Sequence, residues 1–240
     1  MEYTIEGKAS QTTSELLAAA GAEAESLRAV WLGLPAARLV LPDDFDKAIG
    51  ADVTSIRTFG ATDCMADGLL KIVDELRLAN ECTCTFGHEG AYQIHVILAD
   101  ICSKKGKPGD LALLRDIAPV MVKQSNCSEG RAIGQAVIDV LDHFSDEVEA
   151  HITKKTCTAG SCVAYMTYHV LVSKCTGCTK CLKACDDKAI MGKAKFVHVI
   201  DQRKCSGCDR CRSICPTHAI VRAGAKKPKC PPRPIPVKRK

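Results

Sequence analysis

The sequence predicts an α+β chain in three consecutive parts, and three observations carry that expectation. Residues 1–60 mix short β-branched and aromatic runs with one helical stretch, residues 63–152 repeat apolar side chains at helical spacing, and two near-identical cysteine runs follow after residue 166. In the first part, Tyr3-Thr4-Ile5 reads as a strand and Ser14–Gly21 as a short helix between a polar cap and a glycine stop. Ala29-Val30-Trp31-Leu32 and the run from Val53 to Phe59 read as further strands. In the second part, Asp63 is placed to cap a helix carrying Leu69, Ile72, Val73 and Leu76. A second helix follows Glu89, with Tyr92, Val96 and Ala99 on its apolar side, and stops near Lys104-Lys105-Gly106. A third follows Pro108-Gly109-Asp110 and carries Leu111, Leu114, Ala118 and Met121. The fourth carries Ile133, Val137, Val140, Leu141 and Phe144 and runs toward Val148 and Ile152. Four amphipathic helices on short loops predict a four-helix bundle.

The cysteine runs are Cys175-x2-Cys178-x2-Cys181-x3-Cys185 and Cys205-x2-Cys208-x2-Cys211-x3-Cys215-Pro216. Three thiolates at this spacing on a tight loop can face three irons of one [4Fe–4S] cube. The fourth lies past the turn, where the chain is heading toward a second cube, as in bacterial-type two-cluster ferredoxins. Cys175, Cys178, Cys181 and Cys215 are therefore expected to hold one cluster, and Cys205, Cys208, Cys211 and Cys185 the other. The surroundings repeat as well, CTGCTKCLKACDDKAI against CSGCDRCRSICPTHAI, with Asp186 standing where proline is usual. Paired zinc knuckles are the alternative, but they have no use for a third cysteine two residues on.

Composition narrows the function classes. Aromatic content of 4%, with Trp31 the single tryptophan, argues against a base-stacking nucleic-acid surface. Sixteen cysteines after a start, Met1-Glu2-Tyr3-Thr4-Ile5-Glu6, that lacks a basic and apolar leader point to metal-bound thiols in the cytoplasm. No apolar run approaches a membrane span, and no G-x-G-x-x-G or P-loop occurs. The net charge of +5 is concentrated at the end: eight basic residues and no acid follow from Arg222, leaving residues 1–221 at −3. This Pro- and Lys-rich end, residues 225–240, is expected to be a solvated tail, or alternatively an arm that docks on an acidic partner. His88 and His169 lack neighbours in sequence that would make them acid–base catalysts, and no catalytic residue is expected.

From about residue 3 to 165 the chain resembles the C-terminal half of the NADH-binding flavoprotein subunit of respiratory complex I, and more closely the matching subunit of electron-bifurcating iron hydrogenases. The stretches that carry the resemblance are Thr62-Asp63-Cys64-Met65, Glu89-Gly90-Ala91-Tyr92-Gln93, Gly109-Asp110-Leu111, Asn126-Cys127-Ser128-Glu129-Gly130, Phe144-Ser145-Asp146-Glu147 and Glu149-Ala150-His151-Ile152. The hydrogenase type also ends in a two-cluster ferredoxin domain. The resemblance implies a soluble-ligand-binding β-grasp domain at residues 1–60, an iron–sulfur and zinc bundle at 61–165 and a ferredoxin domain at 166–224. The glycine-rich FMN- and NADH-binding domain of the family has no counterpart, so neither FMN nor NAD is expected on this chain.

The family writes Cys-x2-Cys-x2-Cys at the start of the second bundle helix and a fourth cysteine before the last. Here the stretch is Glu81-Cys82-Thr83-Cys84-Thr85-Phe86-Gly87-His88-Glu89. Cys84 keeps the middle position, Gly87 has lost the last, Cys82 reaches the first only with a one-residue deletion, and Cys127 keeps the distant place. Cys82, Cys84, Cys127 and His88 are thus candidates for a third cluster, histidine being able to replace cysteine on iron; the alternative is a metal-free site with thiols buried as small apolar groups. Cys64, His151, Cys157 and Cys162 remain, and His151-x5-Cys157-x4-Cys162 is a spacing one loop can close. Three soft thiolates and an imidazole suit tetrahedral structural zinc, and these positions resemble zinc ligands of the hydrogenase-type subunit; the alternative is a surface histidine and ordinary thiols. Cys102 and Cys230 have no evident companions.

The expectation is an electron-transfer subunit of a multisubunit cytoplasmic oxidoreductase, relaying single electrons between a flavin- or NADH-linked partner and a catalytic subunit of hydrogenase, formate or aldehyde type. Its partners are other subunits, with no nucleic acid and no membrane insertion. The alternative is a docking or assembly subunit whose clusters and zinc are structural or sense redox state. Lacking the flavoprotein domain, residues 1–60 are expected to expose an apolar face for a partner.

Overall fold

A computed structural model describes residues 1–79, 84–224 and 227–237, which divide into two units, residues 1–159 and 160–240. The first begins with strand β1 (Glu2–Gly7), helix α1 (Thr13–Ala19) and strands β2 (Leu27–Leu32), β3 (Arg38–Val40) and β4 (Val53–Gly60). The strands form one sheet in the order β1-β4-β2-β3, every pair antiparallel. α1 starts at Thr12 because a capping box satisfies its first amides: Glu15 N–H donates to Thr12 Oγ1 at 3.2 Å and Thr12 N–H to Glu15 Oε2 at 3.0 Å. Leu16 and Leu17 of α1 bury against Val30, Leu32 and Ile56 on one face of the sheet. Sequence reading missed β3, whose three residues lie between Pro35 and Pro42 and offer no alternation to recognise.

The four helices are α2 (Met65–Ala79), α3 (Thr85–Cys102), α4 (Asp110–Gln124) and α5 (Ser128–Thr153). α3 begins before Glu89, because Cys84 caps it through a Gly87 N–H···Sγ bond of 3.2 Å. Its buried stripe is Ala91, Ile94, Leu98 and Ile101, whereas Tyr92 and Val96 face outward. The expected stripe failed because α3 is apolar nearly all round and both faces satisfy a 3.6-residue period. The expected apolar face on residues 1–60 is also absent: among its described residues, Met1 is the one exposed large apolar side chain. Gly68 of α2 takes the Phe59 ring where a Cβ would stand 2.4 Å from it.

Sheet and helices are tied by part-buried polar contacts from Arg28 and Leu39. Arg28 on β2 donates to Glu147 Oε2 at 2.7 Å and to the Asp63 carbonyl at 3.1 Å, and its guanidinium lies 5.1 Å from the centre of the Phe144 ring, where α5 leaves helical geometry (φ −134°, ψ 24°). The other Glu147 oxygen accepts the Met65 N–H at 2.9 Å, satisfying the first turn of α2. Leu39 N–H of β3 donates to Asp139 Oδ2 on α5 at 2.8 Å.

The second unit consists of β5 (Thr167–Val170), α6 (Lys180–Lys183), β6 (Ile190–Met191), β7 (Phe196–Val197), β8 (Val199–Ile200), α7 (Arg210–Ser213), β9 (Ile220–Ala223) and β10 (Ile235–Pro236), with β5–β9, β6–β8 and β7–β10 antiparallel. Its two halves repeat at the level of single dihedrals: Gly177 and Gly207 have φ of 69° and 80°, and Thr179 and Asp209 have 63° and 62°. Gly177 is required as glycine, since a Cβ there would meet the Phe196 nitrogen at 2.7 Å. The end of the chain differs from the expected solvated tail. β10 pairs with β7, and Ile235 and Val237 pack on the core of this unit. Among the described residues no helix is long and apolar enough to cross a membrane.

Two stability predictions follow from the ties. Glu147→Ala leaves the Arg28 charge without its carboxylate partner and the Met65 N–H without its acceptor and lowers unfolding free energy by about 3 kcal/mol, whereas Lys8→Ala, which removes an exposed pair with Asp52, changes it by less than about 1 kcal/mol; urea denaturation of the two variants compares them. Burial raises the pKa of Asp139 against the bonds from Leu39 and Gln135 that lower it, so its contribution is fully present below the unfolded carboxyl value and is lost as pH rises through the folded one. Asp139→Asn keeps the acceptor without the charge and is as stable as wild type or more so at pH 7, while Asp139→Ala loses about 1–3 kcal/mol by orphaning the Leu39 N–H.

Candidate metal centres

In the second unit the tight loops before α6 and α7 place each cysteine run, and the fourth member of each run is found with the other. Burial pushes the Cys181 thiol up to about 12, and its neighbours Cys175, Cys178 and Cys215 push it further in the same direction. Burial likewise pushes Cys211 up to about 11, with Cys205, Cys208 and Cys185 beside it. Cys185, Cys205, Cys208 and Cys211 line one cavity together with Tyr168, Ile190 and Ile200. The crossing is held by the loop after the first run. Asp187 accepts from the Ser206 N–H at 3.1 Å and from its hydroxyl, and Asp186 pairs with Arg210 of α7. Aspartate instead of proline thus supplies a tie between the halves. These contacts are exposed and fix register more than stability.

Backbone amides point at the crossing sulfurs: Ala189 N–H donates to Cys185 Sγ and Ala219 N–H to Cys215 Sγ, both at 3.3 Å. For Cys215 burial raises the thiol pKa, but amide bonds from Ala219, Thr217 and Ile220 lower it below its ordinary value. Cysteines gathered in this way, with Cys181, Cys211 and Cys215 buried and amide donors directed at Cys185 and Cys215, fit an iron–sulfur cube that would hold them as thiolates. One group was not legible from the motif. His198 is buried, its Nδ1 is 3.8 Å from Cys175 Sγ, and burial lowers its pKa, which keeps the ring neutral.

In the first unit the ligand atoms of Cys64, His151 and Cys157 lie within 4.8 Å of one another, and all three residues are buried. Cys64 precedes α2, His151 sits in the last turn of α5 and Cys157 lies just past it. The Glu147 carbonyl, 2.7 Å from His151 Nδ1, can only accept, so Nδ1 carries the hydrogen and Nε2, 3.3 Å from Cys64 Sγ, is left as the ligating atom. Burial opposes charge on His151, but the sulfurs of Cys157 and Cys64 outweigh it and raise its pKa to about 10. A divalent cation would take the place of that proton, and the S and N donor set fits zinc. Cys162, also buried, stands five residues beyond Cys157 at the start of the second unit. Cys102 is less isolated than its sequence context suggests. Burial drives its thiol up to about 12, with Cys64 and Cys157 adding to the effect.

For the bundle set, Cys82 lies outside the described residues. Cys84 and Cys127 occupy the N-cap positions of α3 and α5, and these helices converge there, a Cβ on Gly130 standing 2.9 Å from the Gly87 Cα. Two helix N-termini meeting favour an anionic occupant. His88 is exposed and holds Glu89 at 3.2 Å. His169 bonds Thr167 Oγ1 at 2.7 Å.

Two stretches of the chain match known families. Residues 78–151 match the NADH-ubiquinone oxidoreductase-F iron-sulfur binding region, and residues 169–222 match a 4Fe-4S dicluster domain. The chain is 29% identical over 187 residues to the NADP-reducing hydrogenase subunit HndC of Solidesulfovibrio fructosivorans, covering 73% of this chain and 38% of that protein. It is 29% identical over 103 residues to the F subunit of the NADH-quinone oxidoreductase of Streptomyces coelicolor, covering 43% of this chain and 23% of the relative. Over 112 residues it is 33% identical to the B subunit of the ion-translocating oxidoreductase complex of Stutzerimonas stutzeri, 46% of this chain and 54% of the other. Among solved structures, an NAD+-reducing [NiFe]-hydrogenase in the H2-reduced state superimposes with a TM-score of 0.51 at 19% identity, over 60% of this chain and 26% of the hydrogenase chain, a likeness of fold alone.

Proposed function

We propose, from the matches to the F-type iron-sulfur binding region, the dicluster domain and the hydrogenase subunit, that this chain is an electron-relay subunit of a multisubunit oxidoreductase, set between a flavin- or NADH-linked partner and a catalytic subunit of hydrogenase, formate or aldehyde type. The observation that supports the proposal is that Cys215 stands among the neighbours of Cys181, and Cys185 among those of Cys211, each away from its own run. The curated relatives are longer than the matched segments, and their partners are the precedent for the partners proposed here.

In this reading Cys175, Cys178, Cys181 and Cys215 hold one [4Fe–4S] cluster, and Cys205, Cys208, Cys211 and Cys185 the other. Bound clusters supply one-electron transfer without making or breaking bonds. The chain's own part is to hold the sulfurs, to line the set of Cys185, Cys205, Cys208 and Cys211 with Tyr168, Ile190 and Ile200, and to direct the Ala189 and Ala219 amides at Cys185 and Cys215. Cys82, Cys84, Cys127 and His88 are proposed to hold a third cluster at the meeting of α3 and α5, supported by the match of this region to an iron-sulfur binding region. Cys64, His151 and Cys157, with Cys162 a short loop further along, are proposed to hold structural zinc. The antiparallel sheet with α1 is read as the β-grasp domain, and the cytoplasm as the compartment.

Anaerobic loading with iron and sulfide gives about four irons per cube, so about twelve per chain, falling to about eight with Cys127→Ser; eight in the unsubstituted chain would remove the bundle cluster. Cys178→Ser and Cys208→Ser each abolish a different electron paramagnetic resonance signal of the reduced protein, and a reduced wild type without [4Fe–4S] signals contradicts the relay. Zinc analysis finds about one ion per chain, as four-coordinate structural sites hold. His151→Ala loses that zinc and lowers the thermal midpoint while leaving the iron content unchanged. Unchanged zinc in this variant contradicts the assignment.

A further inference from the structure

The two halves of the second unit are not identical around their sulfurs. Tyr168 stands seven residues before Cys175, and His198 stands seven before Cys205, so the two occupy equivalent places in the repeat. Each reaches across to the other half's sulfur set. Tyr168 lines the cavity of Cys185, Cys205, Cys208 and Cys211, with its hydroxyl donating to the Gly207 carbonyl at 3.1 Å. His198 places Nδ1 3.8 Å from Cys175 Sγ, within the other set. The tyrosine hydroxyl is occupied by backbone, whereas the imidazole meets a sulfur.

The histidine is 1% exposed, and its Nε2 has no hydrogen-bond partner among the described residues. Gly192 makes room for it: a Cβ there would stand 2.5 Å from the ring. A buried imidazole whose one polar contact among the described residues is a cluster-type cysteine is costly as core filling, where Phe or Leu would leave no orphaned nitrogen. Sulfur bound to iron carries negative charge and no hydrogen, so in that state it accepts and Nδ1 donates. Such a bond strengthens as an added electron makes the sulfur more negative, and therefore favours the reduced form.

We propose that His198 is a positioning residue that, by donating its Nδ1–H to Cys175 Sγ, makes the cluster held by Cys175, Cys178, Cys181 and Cys215 easier to reduce than its neighbour. The inference rests on the reading that these two cysteine sets hold [4Fe–4S] clusters. Each cluster accepts one electron from a low-potential reductant, the hydrogen stays on Nδ1, and no bond is made or broken. The halves then differ in redox level, which gives an electron a preferred resting place.

The test is a redox titration of the loaded full chain followed by electron paramagnetic resonance, with the Cys178→Ser signal loss identifying the first cluster. His198→Phe keeps the volume and removes the donor. It lowers the reduction equilibrium constant of that cluster about tenfold, a shift of ~59 mV for one electron, and leaves the other cluster unchanged. Equal shifts in both clusters, or none, overturn the proposal. Should the variant fail to fold, pulsed resonance on reduced wild type labelled with 15N-histidine decides it. Coupling of one cluster to an imidazole nitrogen and an exchangeable proton is expected, and its absence overturns the role of His198. A wild type with no cluster signal at all overturns the cysteine reading itself, and this inference with it.

Discussion

Sulfur donors gathered out of water cannot all ionise unless positive charge stands among them. Burial in apolar surroundings disfavours each thiolate, and each neighbouring thiolate disfavours it further. This constraint organises both units. In the second, Cys181 and Cys211 are driven up to about 12 and about 11 by burial and by the cysteines around them. In the first, the sulfurs of Cys157 and Cys64 raise the pKa of His151 to about 10 against its burial. A protein that packs cysteines this way stores unfavourable electrostatics that a metal or cluster relieves, and loading then becomes part of folding.

The backbone around the sulfurs serves the same constraint. Left-handed residues at Gly177, Thr179, Gly207 and Asp209 curl each loop tightly enough to bring three cysteines together. Asp186 and Asp187 then bind the loop leaving the first run to Arg210 and Ser206 in the second. In the first unit Glu147 has a comparable part. One carboxylate oxygen holds Arg28 of the sheet, the other caps α2 beside Cys64, and its carbonyl orients His151. A single residue links the sheet, the helix carrying one sulfur and the tautomer of the imidazole.

The helical spacing of Leu69, Ile72 and Val73, and of Ile133, Val137 and Val140, was legible in the sequence because each makes one clear stripe; α3 was misread because its apolar residues encircle it. β3 was invisible, since a three-residue strand is defined by its partners and not by its own pattern. The two cysteine runs stood out in the sequence because each repeats the same spacing within similar surroundings. His198 did not, because a histidine seven residues ahead of a cysteine has no motif; only the crossing of the halves brings it to Cys175. The proline-rich end was misjudged for a related reason. Ile235 and Val237 are too few to show a period, yet they suffice to add a strand beside β7.

The crossing of the fourth cysteines is the claim on which the relay stands, and Cys185 tests it most directly. Cys185 belongs to the first run in sequence and to the second set in space. Loaded Cys185→Ser protein, reduced and examined by electron paramagnetic resonance, should lose or alter the same signal that Cys208→Ser removes, with the signal sensitive to Cys178→Ser left intact. Loss of the Cys178-sensitive signal instead would mean that each run closes on its own cluster, and would contradict the account.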